Sequence, residues 1–506
     1  MKSNRLSLSR RTFIKKMSAG ASAVYLSPFL NACSQSGKAY PLFSDTEIDV
    51  EIRLTAMRDA VQILSGYPTD VWRYKGELIR GPENTIEHIQ DSYLGPILHL
   101  HQGQNIRIHF ANQLGESSII HWHGLHVPEA ADGHPRLVIS PGEEYIYEFS
   151  VLDRAGTYWF HPHPHGRTGP QVNNGLAGLI VIHDLEEAAL DLPRRTYDLP
   201  LVIQDRTFDS NNQFIYGGTH MDQVMGFLGD TLLINGQLKK TYSVETRSYR
   251  LRLLNGSNSR IYKIAWSDKT KLTVIGTDGG LLEKPISKDY IILAPAQRTE
   301  LWIDFSNREL GSVLSLINEE SAMPGGENEF PIVNFSVDSQ SGSSSELPQK
   351  LSKHVLNNPQ EAVNATDPRQ FVLQMGMGMS WNINGQSFEM EGVADDERIR
   401  LGDLEMWEFN NQAGGGMGML LPHPMHIHGL QFQVISRNID ARYRELWETI
   451  NDGLVDEGWH DTVLVMPGEQ VQVLIRFEDF EGLYLYHCHN LEHEDMGMMR
   501  NYRVVA

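Results

Sequence analysis

Near its C-terminal end the chain runs His487-Cys488-His489-Asn490-Leu491-Glu492-His493-Glu494-Asp495-Met496-Gly497-Met498. A thiol, three imidazoles and a thioether thus fall within one short strand and a turn. A strand sends alternate side chains to opposite faces, so Cys488 points one way and His487 and His489 point the other. A turn after His489 returns His493 to the cysteine side, with Met498 following as a distant fourth ligand. Two histidines, one cysteine and a weak axial methionine make the blue-copper electron-transfer set. One histidine is still missing from it and must come from elsewhere in the chain.

Three further His-x-His pairs occur: His121-Trp122-His123, His161-Pro162-His163, and His426-Ile427-His428 with His423 just before it. With the pair around Cys488 they supply eight imidazoles, and His423 is the spare one that completes the blue set. Imidazole alone suits copper, zinc, iron or nickel; a soft thiolate and thioether beside eight histidines select copper. A single pair arises by accident on a strand, but four, one of them wrapped around a cysteine, do not. The other histidines, among them His99, His101, His126, His134 and His460, are expected at the surface or in ordinary hydrogen bonds.

The elements that must carry these residues are strands. From Asp49 onward Val50, Ile52 and Leu54 alternate, as do Ile106, Ile108 and Phe110, and Gly, Pro and Asn punctuate the runs, the pattern of an all-β sandwich protein. Helical periodicity is confined to a short stretch near Leu185–Leu190 and another within 441–451. A motif repeats three times: Ile139-Ser-Pro-Gly-Glu-Glu-Tyr-Ile-Tyr-Glu-Phe149, Leu293-Ala-Pro-Ala to Phe305, and Val465-Met-Pro-Gly to Phe477. Each is a turn feeding an alternating strand. The first and third copies continue into Gly156-Thr-Tyr-Trp-Phe-His-Pro-His163 and Gly482-Leu-Tyr-Leu-Tyr-His-Cys-His489, whereas the middle one continues as Gly311 to Asn318 without histidine. The outer units therefore hold metal and the central one is structural. The expected boundaries are 46–190, 191–338 and 369–506, with a linker over 339–368 that contains Ser341-Gly-Ser-Ser-Ser345.

The 506 residues carry a net charge of −21, which excludes nucleic acid as a partner because phosphate would be repelled. The basic residues at the start belong to Ser9-Arg10-Arg11-Thr12-Phe13-Ile14-Lys15 and a modestly apolar run to Leu30, a twin-arginine export pattern over 1–33. The run is too short and polar for a stable membrane span. An exported protein of the periplasm or cell envelope follows, with the twin-arginine machinery as a partner. Cys33, in Leu30-Asn31-Ala32-Cys33, resembles a lipobox cysteine and is a candidate for lipidation and a lipid anchor. With the leader removed, Cys488 has no partner for a disulfide inside one chain.

Ile120-His-Trp-His-Gly124, Trp159-Phe-His-Pro-His163, His423-Pro-Met-His-Ile-His-Gly429 and the His487–Met499 segment resemble the multicopper oxidases (laccases, bilirubin oxidase and the bacterial copper-efflux oxidases) over nearly everything after the leader. The resemblance implies three cupredoxin-like Greek-key β-sandwich domains, with the histidine pairs of the first and third meeting across an interface. It also implies four coppers. Type 1 copper would take His423, Cys488, His493 and axial Met498; type 2, His121 and His426; the type 3 pair, His123, His161, His163, His428, His487 and His489. His163-Pro164-His165 is a further His-x-His, but family wording keeps His161 and His163 and leaves His165 a supporting role. Asp132 and Glu494 match acidic residues assigned to proton delivery. The activity implied is one-electron oxidation of a small reductant at the type 1 copper, coupled through Cys488 and its neighbours to reduction of O2 to water. Phenols and aromatic amines at the edge of His493 are the default substrates, with the insertion from Arg437 to Trp459 shaping the approach. Cu(I) is the alternative, drawing on Met375, Met377, Met379, Met417, Met419 and Met425. A non-catalytic cell-envelope protein, a nitrite reductase or a copper-sequestering protein would be other classes; the complete ligand set and the type 3 pairs count against them.

Overall fold

The computed structural model describes residues 42–506 apart from 218, 239–240, 377–378 and 412–420. The twin-arginine segment, Cys33, Met377, Met417 and Met419 lie outside the described residues. Six main sheets form from three successive stretches, residues 50–183, 198–339 and 369–505, two sheets from each. In the first stretch one sheet orders Thr69–Arg80, Val50–Val61, Asn105–Asn112 and Glu144–Ser150. The other orders Ile86–Glu87, Ile97–His101, Gly178–His183, Gly156–Pro162 and Ile120–His123. The alternation visible in the sequence sets the facing: Val50, Ile52 and Leu54 pair in parallel register with Ile106, Ile108 and Phe110, and all six are fully buried. The repeated motif occupies matching strands, with Glu144–Ser150, Arg298–Asp304 and Glu469–Arg476 in one sheet of each pair. Their continuations, Gly156–Pro162, Val313–Asn318 and Gly482–Cys488, lie in the other sheet. Each stretch also contains two parallel strand pairings between its own strands, which require crossover connections of the Greek-key kind.

Each stretch has its own apolar core, and two more apolar clusters join the stretches. Val71, Leu94, Ile97 and Leu179 pack on Val202, Leu233, Leu254 and Ala296. Ile261, Ile292 and Met323 pack on Ile450, Leu464 and Met466. At about 1.5–3 kcal/mol for each large side chain removed from water, these seams fix the outer units on the central one. The contact between the outer units is polar by comparison: the Tyr484 hydroxyl donates to Val127 O at 3.1 Å, and His134 Nε2 lies 2.9 Å from Asn501 Oδ1. That is the face where the histidines collect.

Helices are short. Leu185–Ala188 and Arg444–Glu448 fall where the sequence pattern put them, the latter flanked by 3-10 turns at Ala441–Tyr443 and Asn451–Gly453. Thr168–Asn173, His220–Met225 and Leu491–Asp495 carry too few residues for a periodic signal and were not legible. The segment over 339–368 is anchored rather than loose: Leu351 N–H donates to Glu283 O and Asn357 N–H to Gln433 Oε1.

Candidate metal centre

Strand register brings the histidine pairs together two by two. In the first unit His121 lies opposite His161 in an antiparallel pair; in the third, His426 lies opposite His487 and Met425 opposite Cys488. Strands Ile120–His123 and Gly482–Cys488 are buried along their whole length, so these side chains have no solvent alternative. The turn after His489 is a helical one, Leu491–Asp495. Asn490 caps it by accepting the His493 N–H at 3.3 Å, which swings His493 back beside Cys488.

Two buried clusters result. In one, Cys488 Sγ is 3.5 Å from His423 Nδ1 and 3.7 Å from His493 Nδ1, and those two nitrogens are 3.3 Å apart. The Asn490 N–H donates to the sulfur at 3.4 Å. Met498 is fully buried in the same core as Cys488; its carbonyl accepts the Cys488 N–H and its own N–H donates to His493 O. In the other cluster His121 Nε2 and His426 Nε2 are 3.3 Å apart. His487 Nε2 is 3.0 Å from His428 Nε2 and 3.3 Å from His163 Nε2, and His489 Nε2 is 3.4 Å from His161 Nε2. His123 Nδ1 is buried without a hydrogen-bond partner, and its ring sits 5.0 Å from that of His489. His487 and His489, neighbours of Cys488 in the chain, thus belong to the second cluster while Cys488 belongs to the first.

The far nitrogens explain why metal fits here. His428 Nδ1 donates to Asp132 Oδ2 at 2.9 Å, and His487 Nδ1 to its neighbour's carbonyl, Cys488 O, at 3.0 Å. A neutral imidazole has one N–H, so the two Nε2 atoms that face each other at 3.0 Å are bare lone pairs. Burial pushes His121, His123, His163, His428, His489 and His493 down, and His161 and His423 to about 3, which keeps these rings neutral. Facing lone pairs repel unless a cation lies between them. Burial also pushes the Cys488 thiol up, so it needs a metal to become a thiolate. Neutral imidazoles, one thiol and one thioether in closed pockets fit copper.

Asp132 and Glu494 both reach the histidine cluster. Asp132 O accepts from His121 Nδ1 at 2.7 Å, while its Oδ1 has no hydrogen-bond partner; burial, and Glu129 beyond it, pushes this carboxyl up. Glu494 Oε1 lies 3.6 Å from His163 Nε2 and Oε2 lies 3.2 Å from His487 Nδ1, whose proton is aimed at Cys488 O instead. Among the other histidines, His165 sits half out of the protein with its ring on Phe388. His126 contacts Asp153 at 2.7 Å, and His134 contacts Asn501.

Sequence reasoning missed four groups. Asp461 O accepts from His426 Nδ1 at 2.7 Å and its Oδ1 lies 2.9 Å from His123 Nε2; Arg298 holds the same carboxylate at 2.8 and 2.5 Å. Against the cost of burial, Arg298 keeps Asp461 well below the usual carboxylate range. Val224 O accepts from His493 Nε2 and from Trp381 Nε1, both at 3.0 Å, and the Trp381 ring lies 4.5 Å from that of His493. The edge of His493 is therefore covered by Trp381 and by helix His220–Met225. The Arg437–Trp459 insertion packs on the central unit: the Trp447 ring lies on the Ile261–Ile292–Met323 seam, while its Nε1 donates to Glu469 Oε1 of the third unit. Nothing at these positions marks them in the sequence, because each role depends on an approach between distant segments.

Three multicopper oxidase family models match in succession, over residues 72–187, 204–312 and 362–506. The chain is 32% identical over 438 residues to the multicopper oxidase mco of Staphylococcus aureus, covering 87% of this chain and 88% of that one. It is 30% identical over 472 residues to a laccase of Bacillus subtilis, covering 86% and 90%. The crystal structure of McoA, a multicopper oxidase from the hyperthermophile Aquifex aeolicus, superposes with a TM-score of 0.77 at 35% identity, covering 92% of this chain and all of that one. The chain belongs to the multicopper oxidases, with the cupredoxin fold expected of them. It is an oxidoreductase that uses O2, and copper is the cofactor the family implies.

Proposed function

We propose that this chain oxidises phenols and aromatic amines one electron at a time and passes the electrons to O2, which is reduced to water. His423, Cys488, His493 and Met498 hold the type 1 copper, and His121 and His426 the type 2. His163, His428 and His487 hold one type 3 ion, and His123, His161 and His489 the other. The four coppers together supply the redox chemistry when bound. The observation that carries the reading is covalent: Cys488 sits in the thiol pocket while the residues on either side of it sit in the eight-histidine pocket. His493, whose Nε2 meets Val224 O under Trp381, is the contact nearest an incoming reductant. Asp132 and Glu494 deliver protons, each placing a carboxylate against the histidines with an oxygen free of hydrogen bonds. The domains are taken as 46–190, 191–338 and 369–506 with the linker 339–368, and residues 1–33 as an export signal that directs the protein to the periplasm or envelope, with Cys33 as its lipid-attachment site. Copper per chain, visible absorption of a thiolate–copper bond and O2 uptake with a phenol test the activity together. Four coppers, a blue colour and O2 consumption are expected; a colourless copper-loaded protein, or one that binds copper without consuming O2, would sink it. Lipid mass on Cys33 of membrane-extracted protein tests the anchor.

Cu(I) as a second substrate is favoured by one observation. Met221 and Met225 are 45% and 36% exposed on the helix whose Val224 carbonyl caps His493, and Met379 packs in the core beneath with Val224. Thioethers bind Cu(I). Met425 is fully buried opposite Cys488 and does not contribute to such a surface. Replacing Met221 and Met225 with leucine is expected to slow Cu(I) oxidation while leaving phenol oxidation in place; equal effects on both would remove this second substrate.

A further inference from the structure

A second group of histidines lies in the first sandwich, away from the copper ligands. His99 and His101 belong to strand Ile97–His101, and His183 ends Gly178–His183; the strands run parallel, with His101 paired to His183 and His99 to Val181. His99 Nδ1 and His183 Nε2 face each other at 3.4 Å, and the His101 ring lies 5.3 Å from that of His183. The far nitrogens are taken by carboxylates. His99 Nε2 is 3.0 Å from Glu87 Oε2, and His183 Nδ1 is 3.0 Å from Glu187 Oε2. A carboxylate only accepts, so each ring places its single N–H there. The two nitrogens that face each other are then lone pairs, the arrangement found between His428 and His487 in the copper centre.

The spacing suits one shared ion. Two nitrogens at about 2.0–2.1 Å from a metal are roughly 3 to 3.4 Å apart, and His161 and His489 show the same 3.4 Å. Carboxylates holding the far N–H of each ligand fix the tautomer and raise the basicity of the ligating nitrogen. Glu187 is itself immobile: it is buried, and Arg250 Nη1 grips its other oxygen at 2.5 Å. Hard ions such as calcium require oxygen donors, whereas imidazole pairs take borderline divalent ions. We propose that His99 and His183, with His101 beside them, form a peripheral site for a borderline divalent ion of the Zn2+/Cu2+ class, separate from the oxidase centre. The competing arrangement is a proton shared between the two rings.

Zn2+ titrated into the full, copper-loaded chain distinguishes them, read by calorimetry and by zinc counted per chain after removal of the excess. One zinc beyond the copper complement is expected. His99→Gln and His183→Gln each abolish it, and Glu87→Gln weakens it by about 10–100-fold. Copper content and phenol oxidation stay at wild-type values in all three. Should either histidine variant lose copper through misfolding, the exposed positions Glu87→Gln and His101→Gln carry the comparison. Wild-type protein that takes up no extra zinc, as a shared proton requires, overturns the proposal, and so do variants that bind zinc as wild type does.

Discussion

Asp461→Asn isolates the part of the centre that lies behind the metal ligands. The Asp461 carboxylate meets His123 Nε2 at 2.9 Å, Arg298 at 2.8 and 2.5 Å, and the Thr462 hydroxyl at 2.9 Å, all fully buried. An asparagine keeps one acceptor oxygen but turns an NH2 toward the guanidinium, which loses its nearest charged partner and is left with Asp278 Oδ1 at 3.4 Å. Breaking such a pair costs about 3–5 kcal/mol. Unfolding entropy is about 2 cal/mol/K per residue, so the loss lowers Tm by about 3–5 °C if the whole chain melts together and by about 10–15 °C if the third unit melts alone. The metal effect is separable. His426 bonds to the backbone carbonyl of Asp461 and keeps its anchor, whereas His123 exchanges a charged acceptor for a neutral amide oxygen. Copper held through His123 should therefore weaken by about 10–100-fold. Scanning calorimetry gives the first quantity, and copper per chain after dialysis against graded chelator gives the second. A variant that melts within 1 °C of wild type and keeps its full copper would refute the reasoning.

Other substitutions follow from the same contacts. Asp132→Asn should cut turnover by about 100-fold or more yet retain copper, because His121 bonds to the backbone carbonyl there and the amide oxygen still accepts from His428; unchanged turnover would remove Asp132 from proton delivery. His165→Gln should leave copper content and colour unaffected, since that ring rests on Phe388 and meets no ligand; metal analysis checks it. Burial opposes protonation of His126, but Asp153 outweighs it and raises the pKa above the ordinary 6.5. The stabilisation from that pair is fully present below pH 6.5 and is lost as pH rises through the raised value. The Tm difference between wild type and His126→Gln should accordingly be largest in mild acid and shrink toward alkaline pH; a constant difference would contradict the pairing.

The residues that gather into the two buried clusters were legible because the chemistry proposed for them restricts residue type. Only imidazole, thiol and thioether serve, and a strand's two-residue period forces the His-x-His spacing that makes the set visible. The three sandwiches were legible through the proline-containing turn and alternating strand that recur at Ile139, Leu293 and Val465. Asp461, Arg298, Trp381 and Val224 were not. Asp461 matters because Thr462 lies opposite His426 in the ladder, and Val224 contributes only a backbone carbonyl, which has no sequence signature. His99 and His183 escaped for another reason: they are 84 positions apart, and only the parallel register of their strands makes them neighbours.

Asp132 and Asp461 perform the same double duty with opposite electrostatics, and that contrast bears on which one moves protons. Each gives its backbone carbonyl to a histidine of its own unit, Asp132 to His121 and Asp461 to His426. Each gives its carboxylate to a histidine of the other unit, His428 and His123 respectively. The outer units are thereby locked in register by two crossed acid–imidazole contacts. Asp461 has Arg298 against both oxygens, so its charge is fixed and its lone pairs are used. Asp132 has no arginine or lysine within ion-pair distance among the described residues, and one of its oxygens is free. A group that shuttles protons must be able to take one, and a carboxylate already saturated by a guanidinium cannot do so without breaking that pair. The arginine supplied by the central unit, whose copy of the repeated motif carries no histidine, therefore makes one acid a strut and leaves the other available for proton transfer, which gives the middle sandwich a part in the centre.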